Sequence, residues 1–156
     1  MPGTGNLCSE VTLAELMPLI EEHLKSGRSV RIFPNGVSML PMLRQGRDNV
    51  ILSALDRPPK KYDIVLYKRN NGNFVLHRVV KIGKSYTCIG DNQFVFEKDI
   101  ERDQIIAVVS SFCRDDKEYS TKSSSYRLYC ILWHYSRFIR RVWRFLKARI
   151  KNLRRV

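Results

Sequence analysis

Apolar residues near the start of the chain recur every three or four positions: Leu13, Leu16, Met17, Ile20 and Leu24. That period predicts an amphipathic helix over residues 9–26. Thr12-x-x-Glu15 has the form of a capping box, and Gly27 is placed to end the helix. Pro18 falls inside the pattern, so the first turns are kinked or the helix begins later. From Ser29 the period shortens toward two. Val-, Ile-, Tyr- and Phe-rich runs predict strands at Ser29–Phe33, Asn49–Ala54, Asp63–Lys68, Phe74–Ile82, Ser85–Ile89 and Gln104–Phe112. Asn70-Asn71-Gly72-Asn73 reads as a hairpin turn because Asn and Gly tolerate positive φ. Six short strands with no helix between them predict a mainly β fold, a compact and mostly antiparallel domain. Helical spacing returns with Leu128, Leu132, Tyr135, Ile139, Val142, Leu146, Ile150 and Leu153. The chain thus divides into an N-terminal helix packing on the domain (1–28), a β domain (29–112), a polar linker (113–125) and a C-terminal basic amphipathic helix (126–156).

Composition adds one strong constraint. With 44% hydrophobic and 28% charged residues over 156 positions, the chain has the make-up of one globular domain. Its net charge of +13 is unevenly placed: residues 121–156 hold 11 basic side chains and no acidic one, leaving the body nearly neutral. That distribution excludes a protein basic over its whole surface. The tail, which also carries Trp133 and Trp143, suits an anionic membrane surface first. Packing on the body comes second, and nucleic-acid phosphates come last. Cys8, Cys88, Cys113 and Cys130 form no CxxC pair, so they read as ordinary thiols and no metal is expected. Four glutamates among the first 25 residues are unlike a signal peptide. The uncharged run Leu128–Ser136 is nine residues, against the ~20 of a membrane span. The expectation is a cytoplasmic protein, peripheral at a membrane.

The candidate chemistry lies in the β region. Gly36-Val37-Ser38-Met39-Leu40-Pro41 follows a predicted strand, and a serine on such a turn can expose its hydroxyl and aim its N–H at a carbonyl oxygen. A turn serine more commonly makes only a local hydrogen bond. His77, in strict alternation, shares a face with Val75 and Val79, where a histidine is commonly a core residue. Asp91, in Gly90-Asp91-Asn92, has the plain reading of a turn-former.

Ser38-Met39-x-Pro41, Tyr62-Asp63-Ile64-Val65, His77-Arg78-Val79-Val80 and Gly90-Asp91-Asn92 stand in the order seen in the S24/S26 serine peptidases, which include signal peptidases and self-cleaving repressors. The sequence most resembles the histidine-type signal peptidases, over about Ser29 to Phe112. The resemblance implies a β domain of the signal peptidase/LexA type and a serine endopeptidase that cleaves a precursor or leader peptide without cofactor. It makes Ser38 the nucleophile, His77 the general base and Asp91 the carboxylate orienting the histidine, with Asp99 and Asp103 as alternative acids. The Ser38 backbone N–H and Gly36 would hold the oxyanion, and Met39, Pro41, Asp63, Arg78, Gly90 and Asn92 would support the motifs. An ordinary histidine would titrate near ~6.5. Three features depart from the pattern: Gly36 replaces a hydroxyl residue, Gly46-Arg47-Asp48 replaces Gly-Asp, and no membrane anchor is seen. Two other readings stand beside this one, a self-cleaving regulatory protein and an idle module binding membrane or nucleic acid through its tail. On the peptidase reading, the chain cut after Ser125 would still fold and cleave.

Overall fold

The computed structural model describes residues 12–153, with side chains as far as Lys147. The first residues of the predicted N-terminal helix, Cys8 and the last three residues lie outside the described residues. Helix α1 (Leu13–Lys25) starts at the expected cap: Glu15 N–H donates to Thr12 Oγ1 at 3.3 Å and Thr12 N–H donates to Glu15 Oε2 at 2.7 Å. Pro18 sits inside α1. Met17, Ile20 and Leu24 form its buried stripe.

Eight antiparallel strands follow: β1 (Val30–Ile32), β2 (Asn49–Ser53), β3 (Ile64–Lys68), β4 (Phe74–Ile82), β5 (Tyr86–Ile89), β6 (Glu97–Ile100), β7 (Ile105–Arg114) and β8 (Lys117–Ser120). They make one sheet in the order β1-β2-β7-β3-β4-β5-β6, with β8 paired to β7. Strand β3 lies mid-sheet and is buried on both faces. Ile64 and Leu66 enter one core with α1, Met39, Leu43 and Val109. Val65 and Tyr67 enter a second with Val79, Cys88 and Ile105. Such two-sided burial produces a continuous apolar run rather than an alternating one.

The structure corrects the predicted elements in three places. Strand β6 (Glu97-Lys98-Asp99-Ile100) is too polar to show a strand pattern and is held by its ladder to β5. Residues 113–125 are not a linker. Strand β7 runs on to Arg114, Asp115 and Asp116 turn at φ 48° and 61°, and exposed β8 returns along β7. Phe112 and Tyr119 stack across that hairpin with ring centroids 5.3 Å apart. The C-terminal helix is two helices, α2 (Ser124–Tyr135) and α3 (Arg137–Leu153), divided at Ser136. Tyr126 and Cys130 of α2 are buried in the first core, so α2 belongs to the domain. The three described cysteines, Cys88, Cys113 and Cys130, are free and buried. Among the described residues no helix is long and apolar enough to cross a membrane.

Candidate functional site

A cleft of ≈730 Å³ opens between α1, β1, the β1–β2 loop and the first half of β4. Its walls are largely apolar, with Leu13, Phe33, Met39, Leu66, Phe74 and Leu76 among them, and both Ser38 and His77 line it. Strand β5 pairs with β4 only from Arg78 onward, so the Phe74–His77 stretch keeps one backbone edge unpaired by that neighbour.

Ser38 sits on the loop after β1, partly exposed. Among the described residues neither its Oγ nor its backbone N–H makes a hydrogen bond. Its carbonyl is fixed, accepting from Asn92 N–H at 2.8 Å, and the Asn92 side-chain amide donates to Val37 O at 3.1 Å. Gly90 explains the remaining buttress. A Cβ at that position would lie 2.6 Å from Ser38 O, so only glycine lets the two backbones approach. The Gly90-Asp91-Asn92 box therefore acts on the serine loop. Gly36, at φ +92°, donates its N–H to Gln45 Oε1 at 2.9 Å, which removes it from the expected oxyanion role. Ser38 N–H remains unspent.

His77 is 1% exposed, on β4 opposite Val65 of β3, on the face expected from alternation. Its acidic partner is Glu97 of β6, not an aspartate. Glu97 Oε1 is 3.1 Å from His77 Nδ1, and Tyr67 Oη is 3.2 Å from the same nitrogen. Tyr67 Oη donates to Glu97 Oε2 at 2.7 Å, Arg69 Nε donates to it at 2.8 Å, and Arg69 Nη2 bonds Oε1. A carboxylate only accepts, so Nδ1 carries the imidazole proton and Nε2 keeps its lone pair. Burial drives the His77 pKa down to about 4. The Glu97 charge opposes that shift and Arg69 adds to it. Glu97 itself is raised by burial, but the bonds from Arg69 and Tyr67 outweigh this and hold it below the usual carboxylate value. Burial and the Glu97 bond push Tyr67 up, so it stays a donor. At neutral pH the result is an uncharged imidazole, oriented from its far side.

Asp91 does something else. It is fully buried and grips Arg78 through two bonds, Nε to Oδ1 at 2.8 Å and Nη2 to Oδ2 at 2.7 Å. The orienting role expected of Asp91 is overturned, because its oxygens are spent on a buried guanidinium. Arg78 also donates to Tyr62 O, Tyr126 Oη, Cys130 Sγ and Met42 Sδ, which ties α2 to the sheet. Asp99, at φ 58° on β6, and Asp103, in the Arg102–Gln104 turn, have no bond to His77, so neither is the acid. Asp63 accepts from Arg57 at 2.9 Å and Lys60 N–H at 2.8 Å, a corner-forming role. Met39 is core and Pro41 is exposed. Asp48 of the Gly46-Arg47-Asp48 variant is buried and closes its own loop, accepting from Arg44 N–H and Arg47.

Ser38 Oγ has no direct hydrogen bond to His77; the two groups share a cleft rather than a bond. A peptide bound in the cleft would lie against the free Ser38 hydroxyl and N–H and against the strand that carries His77. Glu97 lies on β6, 28 residues beyond Arg69 and 30 beyond Tyr67 at the end of β3, and no local pattern links those two stretches to His77. The available signal was the polar pair Tyr67 and Arg69 at alternate positions beside the histidine strand. Compared with protein-family models, with curated proteins and with solved structures, the chain matches none.

Proposed function

We propose that this chain is a serine endopeptidase of the S24/S26 type, with a domain of the signal peptidase and self-cleaving repressor kind. The observation that carries the reading is a Ser38 hydroxyl free of hydrogen bonds and a neutral, carboxylate-oriented His77 lining one cleft. Ser38 Oγ attacks the scissile carbonyl while His77 Nε2 takes its proton. The Ser38 N–H receives the developing oxyanion, and Glu97 stabilises the imidazolium and holds its orientation. His77 then returns the proton to the leaving amine, and water activated by the same nitrogen hydrolyses the acyl-enzyme. Substrate binding has to bring the Ser38 loop to the histidine or hold one bridging water, since catalytic hydrogen bonds commonly tighten only in the complex. The open edge at Phe74–His77 suits an extended peptide, which adds as a strand, and the apolar walls suit apolar side chains. A precursor or leader peptide presented at a membrane surface is the substrate class of this reading.

The test is hydrolysis of short peptides with small residues before the scissile bond, followed by mass spectrometry. Wild type is expected to cleave. Ser38→Ala is expected to lose at least about 10³-fold in kcat/KM with an unchanged circular dichroism spectrum. Equal rates for the two proteins would sink the proposal.

The acidity of His77 sets the pH profile. With a free-enzyme pKa of about 4, kcat/KM rises across that value and is level between pH about 6 and 8. A rise centred near ~6.5 would mean an ordinary, solvated histidine and contradict the buried one. Stability changes in the same direction. The unfolded histidine titrates near ~6.5 and the folded one at about 4. This contribution is therefore intact above the first value and lost as pH falls through the second. Circular dichroism at each pH separates the two effects.

A further inference from the structure

Helix α3 is built inside out. Its cationic face is turned onto the protein. Arg137 is 8% exposed with its guanidinium 5.7 Å from the centre of the Phe96 ring. Arg140 donates to Asp91 O at 3.2 Å and lies 3.5 Å from the centre of the Trp133 ring. Arg144 lies 5.0 Å from the centre of the Phe94 ring and bonds Asn92 Oδ1. Its apolar face is turned away. Phe138, Ile139, Val142, Trp143 and Leu146, which fall on one side of a 3.6-residue helix, are 44–75% exposed. Globular packing places these two faces the other way round.

We propose that the outward face of α3 is a seat for an anionic lipid surface, entered by Phe138, Ile139, Val142, Trp143 and Leu146. Arg141 and Lys147 fall on the two borders of the apolar arc, where an interfacial helix places the cations that meet headgroups. Lys147 Nζ lies 3.5 Å from the centre of the Trp143 ring, which puts the indole at that border as well. A second copy of the chain is disfavoured as the occupant. Arg141 and Lys147 border the apolar arc on every copy and residues 121–156 hold no acid to pair with them, so two arcs laid face to face would bring like charges together at their edges. Nucleic acid is disfavoured because Arg137, Arg140 and Arg144 are already committed to the body and the face presented outward is apolar. The seat stands whether or not Ser38 is a nucleophile.

The experiment uses the full chain and vesicles of phosphatidylcholine with or without one-third phosphatidylglycerol. Wild type is expected to sediment with the anionic vesicles, much less with the neutral ones, and to show a blue-shifted tryptophan emission that Trp143→Phe largely abolishes. Ile139→Gln with Leu146→Gln changes exposed positions and no charge, so folding is retained by circular dichroism. Partitioning falls by about tenfold or more. Ser38→Ala is expected to bind as wild type, so peptidase failure and lipid failure are read separately. Equal vesicle binding by the double variant would overturn the seat, leaving charge attraction alone. So would the same emission shift with inorganic phosphate or with duplex DNA in place of vesicles. A wild-type dimer in vesicle-free solution that the double variant dissolves would replace lipid by a second copy.

Discussion

Asp91→Ala is expected to unfold the protein, or to lower its Tm by about 10 °C or more, before any effect on catalysis can be read. Removing this carboxylate leaves the fully buried Arg78 guanidinium without its counter-charge, and breaking a buried pair costs about 3–5 kcal/mol. Domains of this size have about 5–15 kcal/mol in total, so the loss is a large share. Arg78 also spans the sheet, the Met42 loop and α2, so the damage spreads along its four other hydrogen bonds, to Tyr62, Tyr126, Cys130 and Met42. Replacing both partners by apolar residues, Arg78→Met with Asp91→Leu, should recover part of the loss, because no uncompensated charge then stays buried. Thermal denaturation of the three proteins checks this. A stable Asp91→Ala protein with reduced kcat would return Asp91 to the side of the histidine.

The second large effect concerns the C-terminus. Cutting the chain after Ser125 is expected to yield an aggregating or unfolded product, contrary to the expectation from motifs that end near Phe112. Tyr126 and Cys130 would be lost from the core and from Arg78, and Trp133 would no longer donate to Asp91 O at 2.9 Å. Removing a buried aromatic alone costs about 3–5 kcal/mol. Cutting after Ser136 removes the Arg137 and Arg140 contacts but keeps α2 with Tyr126 and Cys130 in the core and Trp133 on Asp91 O, so that shorter chain should fold, retain peptide cleavage and lose vesicle binding. Circular dichroism and a melting curve on both truncations decide the matter. A folded product ending at Ser125, with the Tm of the full chain, would mean that α2 is dispensable.

The elements that sequence reveals best here are those whose own residues decide them. Thr12 and Glu15 cap α1 through each other, and the apolar runs of β3 and β4 survive in any context. Strands β6 and β8 are different: Glu97–Ile100 and Lys117–Ser120 are polar segments recruited by a neighbour's ladder, and no local pattern encodes that. The site divides in the same way. Ser38 and His77 were readable as a pair through their motifs, and the structure lines one cleft with both. The identity of the carboxylate was not readable. Asp91 and Glu97 lie six positions apart on one segment. What separates their roles is the adjacency of Arg78 to one and of His77 to the other, which only the β4–β5–β6 register sets. The division of α2 from α3 was hidden as well, because their apolar spacing runs through Ser136 without a break.

Whether Ser38 is a nucleophile is decided by trapping the acyl-enzyme itself. Wild-type protein turning over a p-nitrophenyl ester of a short alanine peptide is quenched in acid and weighed intact, then digested to locate the adduct. The expected result is one acyl group on the peptide containing Ser38, lost with time at neutral pH and absent in Ser38→Ala. Turnover with unmodified protein, or an adduct on any other residue, would contradict it.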